Sequence, residues 1–193
     1  MPFPWLEMVG FSVTLVSVWL VIKERRSGWI WSILSAVTYF FVYLEANLYS
    51  DAEIQFLYMA VGIYGYINWN HRKREGAPVI KMVTNSFFLL YVLTVVAVAA
   101  IWGGIHSRVS DASLPYLDAL LASTCIMAQW MMARKYFQCW YLWIFAGIGY
   151  IWMYAVKELA VTTLLYIILF GFTLYGYWQW RITKKLIVLT KAT

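Results

Sequence analysis

The chain has 193 residues, 63% of them apolar and 12% charged, where an ordinary soluble domain is about 25% charged. That leaves too little charge to cover a water-facing surface, and it excludes a soluble enzyme, a disordered chain and a nucleic-acid-binding module. The net charge of +6 is explained below by topology rather than by an anionic partner. Aromatic residues make up 20% of the chain. Cys125 and Cys139 both fall in apolar stretches, which implies neither a disulfide framework nor a zinc site. His71 and His106 have no partner at ligand spacing, so no metal and no cofactor is expected.

The start, Met1-Pro-Phe-Pro, lacks the basic region and small-residue cleavage site of a secretory signal, so the first apolar run is expected to be kept as a membrane span. A helix crosses a bilayer with about 20 mostly apolar residues. Runs of that kind cover 5–22, 29–48, 53–70, 85–105, 115–133, 140–157 and 159–180. Tyr49-Ser50-Asp51 separates the second and third runs and Lys157-Glu158 the last two, so each of these pairs is expected to be antiparallel. With seven spans, one side of the membrane receives Lys23, Arg25, Arg26, Arg72, Lys73, Arg74, Lys81, Arg134, Lys135, Arg181, Lys184, Lys185 and Lys191. The other side receives Arg108 and Lys157. This imbalance places the basic side in the cytoplasm, the N-terminus outside and the C-terminus inside.

Shifting the sequence by 111 positions aligns it with itself without gaps. Pro4 meets Pro115, Ser12 meets Ser123, Trp19 meets Trp130, Trp29 meets Trp140, and Leu48 meets Leu159. Tyr64-Gly65-Tyr66-x-x-Trp69 meets Tyr175-Gly176-Tyr177-x-x-Trp180, and Lys73 meets Lys184. The expected fold is an all-α polytopic membrane protein with seven transmembrane helices in a 3+1+3 arrangement. Residues 1–74 form the first helical triplet, 75–110 a linker with the fourth helix, and 111–193 the second triplet with a basic C-terminal tail. The two copies enter the membrane in the same direction, as in SWEET-like parallel repeats, which hold substrate near the midplane at the repeat interface.

Polar groups inside a bilayer are costly and usually face a cavity or a partner. Glu7 and Asp118 occupy equivalent places near the outer ends of the first and fifth helices. They either attract a cation or fix a gate, or they simply favour helix N-termini through the dipole. Gln55 falls opposite Tyr166 in the repeat and Gln129 opposite Val18, so duplication alone does not account for either amide. Gln55, with Tyr58 one turn on, and Gln129 are therefore candidates for lining a path. Asn68 and Gln179 are expected to cap helices or meet headgroups.

Trp5, Trp69, Trp178 and Trp180 stand near helix ends and are assigned by default to the interfacial belt. Trp140 and Trp143 lie three apart on one face of the sixth helix, and Tyr150 and Tyr154 continue near it. This stripe is either packing or an aromatic wall able to hold a flat, cationic ring. No catalytic triad, phosphate loop or ATP-hydrolysing motif is present, so transport would follow a gradient and facilitated diffusion is the simplest form.

The segment Asp51-Ala-Glu-Ile-Gln55-Phe-Leu-Tyr58 with Ile63-Tyr-Gly-Tyr66-x-x-Trp69 resembles a signature of the Pnu-type vitamin transporters. A second matches at Pro115-Tyr-Leu-Asp118-Ala, Ala128-Gln129, Ala133-Arg-Lys135, Trp140-x-x-Trp143 and Tyr154. The resemblance implies a bacterial inner-membrane facilitator that imports nicotinamide riboside or thiamine, with the solute trapped by a cytoplasmic vitamin kinase. It also implies that the partners are the vitamin and the lipid bilayer, with homo-oligomeric assembly an open alternative and no nucleic acid. It points to Trp140, Trp143 and Gln55 as binding positions. The family usually has Asn where this chain has Cys139, and Asn or Asp where it has Gly147, which brings thiamine close behind the riboside. A SWEET-type sugar transporter is the further alternative.

Overall fold

The computed structural model describes residues 4–45, 49–74, 80–109, 114–158 and 160–190. Leu48, Leu159, Lys191 and the Met1–Phe3 start, used in the sequence reading, lie outside the described residues. The seven runs are seven helices: α1 (Pro4–Ile22), α2 (Ser27–Glu45), α3 (Tyr49–Arg74), α4 (Asn85–Val109), α5 (Pro115–Ala133), α6 (Cys139–Val156) and α7 (Ala160–Thr190). Pro4 and Pro115 open α1 and α5, where a missing N–H costs nothing because the first helical turn leaves its N–H groups unpaired anyway. Glu7 and Asp118 fall in the first turns of the same two helices.

Two boundaries differ from the sequence reading. Tyr49-Ser50-Asp51 does not interrupt the helices but forms the first turn of α3, where a short polar side chain favours a helix start. α7 does not end near residue 180 in a tail but continues to Thr190, because residues 181–190 contain neither Gly nor Pro to stop it.

α1, α2, α4 and α6 are each long and apolar enough to cross a membrane by their own composition. On α4 the exposed side chains are large and apolar, Phe87, Leu90, Leu93 and Ile101 among them. Val95, Ala99 and Gly103, spaced by four, are buried and form a narrow inner stripe. A helix that turns its bulky residues outward and its small ones inward has lipid as its outer solvent.

The chain divides into two compact units. The first comprises residues 1–79, 132–135 and 178–193. Within it α1, α2 and α3 pack in sequence, and Thr14 Oγ1 and Ser35 Oγ lie 2.6 Å apart while Ser17 donates to Gly28 O at 2.9 Å. The second comprises residues 80–131 and 136–177. Here the segment entering α4 is tied to the α5–α6 turn: Phe137 N–H donates to Lys81 O at 2.8 Å, and the Gln138 side chain accepts from Val83 N–H and donates to Val83 O at 2.7 Å. Gln138 is 3% exposed, so both ends of its amide are satisfied where water has little access.

Candidate functional site

The first unit holds a set of equivalent pairs at one end of its helices. α1 and α5 stop in the same way. Glu24 N–H bonds to Val21 O and Arg25 N–H to Leu20 O; 111 positions on, Lys135 N–H bonds to Met132 O and Tyr136 N–H to Met131 O. Both are Schellman caps, with Glu24 at φ 55° and Lys135 at φ 58° in the position that glycine usually takes. The two cap residues meet: Lys135 Nζ lies 3.1 Å from Glu24 Oε2 and 4.3 Å from the centre of the Trp69 ring.

Trp69 and Trp180 complete this end. Trp69 Nε1–H donates to Ala133 O at 3.1 Å, the last carbonyl of α5, and Trp180 Nε1–H donates to Ile22 O at 3.2 Å, the last carbonyl of α1. Ile22 and Ala133 are themselves equivalent in the repeat, and the two indole rings lie 6.2 Å apart. Trp69 and Trp180 are therefore not belt residues: they are 3% and 0% exposed because each indole N–H satisfies a helix-end carbonyl. Trp5 and Trp178, at 59% and 55% exposed, have the exposure a belt requires. Asn68 acts as a cap, donating to Ala133 O at 2.8 Å.

The aromatic stripe of α6 lies in the second unit. Trp140 is buried against Gly176 of α7, where an added Cβ would stand 2.1 Å from the indole ring. Within the first unit Trp29 sits on Gly65 in the same way, at 2.6 Å, so the equivalent pair repeats the packing. Tyr150 and Tyr154 stack with centroids 5.9 Å apart, and Tyr166 of α7 lies 4.9 Å from each. Their counterparts Tyr39 and Tyr43 stack at 5.8 Å. Tyr166 was not singled out by the sequence reading, although its position opposite the amide Gln55 in the repeat carried the signal.

Trp143 has no such counterpart, because its equivalent is Ser32. Its Nε1 is buried and has no hydrogen-bond partner among the described residues, a condition shared by Trp29 Nε1. A buried donor left unpaired costs about 1–3 kcal/mol. At Trp29 the ring is fully enclosed by Gly65 and the edge of Trp69, whereas Trp143 retains partial exposure. Gln55 is buried on α3, and Tyr58 and Gln129 are half-buried. Glu7 and Asp118 are exposed at the helix starts. The structure thus brings Tyr150 and Tyr154 together and separates Trp140 from Trp143 by burial: the first fills a helix–helix contact, the second keeps part of its ring exposed.

An all-helical chain with several spans, indoles and an amide buried within it, and apolar side chains turned outward defines a multi-pass membrane protein. The chain belongs to the family described as Nicotinamide mononucleotide transporter, whose profile it matches over residues 4–182. It is therefore a transporter by family and not an enzyme. The Nicotinamide riboside transporter PnuC of Haemophilus influenzae is 26% identical over 191 residues, covering 95% of this chain and 83% of that protein. The protein of the same name from Escherichia coli is 21% identical over 202 residues, covering 91% and 84%. The Riboflavin/roseoflavin transporter RibM of Streptomyces davaonensis is 25% identical over 190 residues, covering 94% and 86%. The crystal structure of the vitamin B3 transporter PnuC superposes with a TM-score of 0.76 at 24% identity, covering 95% of this chain and 83% of that one, which establishes the fold.

Proposed function

We propose that this chain imports a flat heteroaromatic vitamin, nicotinamide riboside first, across the bacterial inner membrane by facilitated diffusion. The observation that carries the reading is the family match along nearly the whole chain, with relatives named for the riboside. Trp143 supports it as a ring with an unused buried donor, suited to stacking on a nicotinamide and bonding its carboxamide oxygen. Within the first unit, Gln55 is the buried amide that the resemblance points to. Glu7 and Asp118, exposed at helix starts that the basic-residue count places outside, attract a pyridinium and repel a phosphate. That charge pattern favours the riboside over a mononucleotide. Retention inside the cell then falls to a cytoplasmic kinase that phosphorylates the vitamin.

The parallel duplication is supported by the matching Schellman caps and by the paired Trp-on-Gly contacts 111 positions apart. Seven spans are supported by the seven helices, and an outer N-terminus with a cytoplasmic C-terminus by the uneven distribution of Lys and Arg between alternate loops. Thiamine remains the second reading, favoured by the lack of a polar side chain at Gly147, which packs on the Phe170 ring. An added Cβ at Gly147 would stand 2.6 Å from that ring, so no side chain there reaches for ribose hydroxyls.

A thermal-shift series on the purified protein tests the substrate. Ligand bound to the folded state raises its apparent stability, by about 2.7 kcal/mol at one hundred times Kd. Nicotinamide riboside is expected to give the largest shift among itself, thiamine, riboflavin and deoxynucleosides. A larger shift with thiamine would move the assignment, and no shift with any of them would remove it.

A further inference from the structure

We propose that Glu24, Lys135 and the Trp69–Trp180 pair form a charge-dependent latch that closes the cytoplasmic end of this protein and must part for the end to open. The cytoplasmic placement rests on the orientation proposed above; the latch itself rests on geometry within the first unit. Lys135 is 7% exposed, and its ammonium is held between the Glu24 carboxylate at 3.1 Å and the face of Trp69 at 4.3 Å. Trp69 in turn grips the end of α5 through Ala133 O, and Trp180 grips the end of α1 through Ile22 O. Every tie joins a residue of one sequence copy to a residue of the other, so the ends of α1, α3, α5 and α7 are fastened crosswise.

The chemistry suits a closure rather than a permanent staple. A buried ion pair adds little net stability over apolar residues of the same size, because desolvation offsets the attraction. An apolar contact would hold the same four ends together without placing two unlike charges at equivalent cap positions. A charge pair gives two states instead: paired and shielded by an indole when closed, separately hydrated when open. Both cap residues also keep a left-handed backbone without glycine, at φ 55° and φ 58°, so their side chains are aimed at one another by the helix ends themselves.

Native cysteines provide the test, and no solute is needed. Cys139 is fully buried four residues beyond Lys135, and Cys125 is buried within α5. Inside-out vesicles are treated with a membrane-impermeant maleimide, and the two cysteine-containing peptides are quantified separately by mass spectrometry. Glu24→Gln and Lys135→Gln are expected to raise the labelling rate of Cys139 roughly tenfold, the scale on which one lost charge-assisted contact moves an opening equilibrium. Lys135→Arg keeps the cation and is expected to stay near the wild-type rate, with Cys125 protected throughout. The latch is overturned if Cys139 stays protected in both neutral variants. It is equally overturned if Cys125 becomes labelled in parallel, which would mean that the pair holds the whole fold. Faster labelling in right-side-out vesicles would contradict the orientation and leave the charge-dependent closure standing.

Discussion

Replacing Gly176 by valine is expected to lower the apparent melting temperature of the purified protein more than any other single change at a helix contact of the second unit. The added Cβ would stand 2.1 Å from the Trp140 ring, a separation real carbon atoms do not adopt. Overpacking a filled site of this kind costs about 1–3 kcal/mol and sometimes more. Gly65→Val repeats the clash on Trp29 at 2.6 Å and is expected to act in the same direction. Gly171→Ala on the same helix α7 is the control, since nothing lies within 4 Å of the position. If the ring contact is the cause, Trp140→Ala will itself destabilise but will make the further change at Gly176 nearly silent. Equal losses from Gly176→Val with and without Trp140 would show that the indole is not what the glycine accommodates.

Trp143 carries the second large effect. Trp143→Ala is expected to weaken nicotinamide riboside binding at least about tenfold, because it removes both a stacking face and a donor. Trp143→Phe keeps a ring and loses only the N–H, and its expected cost is roughly 2–10-fold, the value of one neutral hydrogen bond. Isothermal titration calorimetry on protein of unchanged melting temperature reads both. Wild-type affinity in the two variants would remove Trp143 from the site. Trp140 provides the contrast: of two tryptophans three residues apart, one is buried on a glycine and the other keeps part of its ring exposed.

Much of the helical layout was legible in the sequence, because long apolar runs and short polar breaks report bilayer length directly. All seven runs became helices, with the main errors at Tyr49-Ser50-Asp51 and beyond residue 180. Polar residues at those places looked like interruptions, but a serine or aspartate at a helix start and lysines in an unbroken run are both compatible with helix. The roles of the end residues were not legible. Trp69 and Trp180 fit the composition of an interfacial belt, and only the position of a carbonyl acceptor distinguishes a belt indole from a capping one. Lys135 reads as a topological charge and as part of the signature Ala133-Arg-Lys135, and Glu24 carries no local signal of its own. Nothing in either local sequence shows that two cap residues 111 positions apart come within 3.1 Å.

The candidate site was legible in kind and only partly in detail. The repeat comparison singled out Gln55 as a residue that duplication did not require, and the same comparison held Tyr166 in view on the opposite copy. Helical periodicity placed Trp140, Trp143, Tyr150 and Tyr154 near one face. It could not tell the buried Trp140 from the partly exposed Trp143, because that depends on Gly176 and on the rings of α7.

Transport itself is tested most directly by reconstituting the purified chain in liposomes and following labelled nicotinamide riboside. Saturable uptake down the solute gradient is expected, with no ATP and no imposed ion gradient, competed by unlabelled riboside and ending at equal concentrations inside and out. Uptake no faster than in protein-free liposomes, from folded and correctly inserted protein, would contradict the assignment.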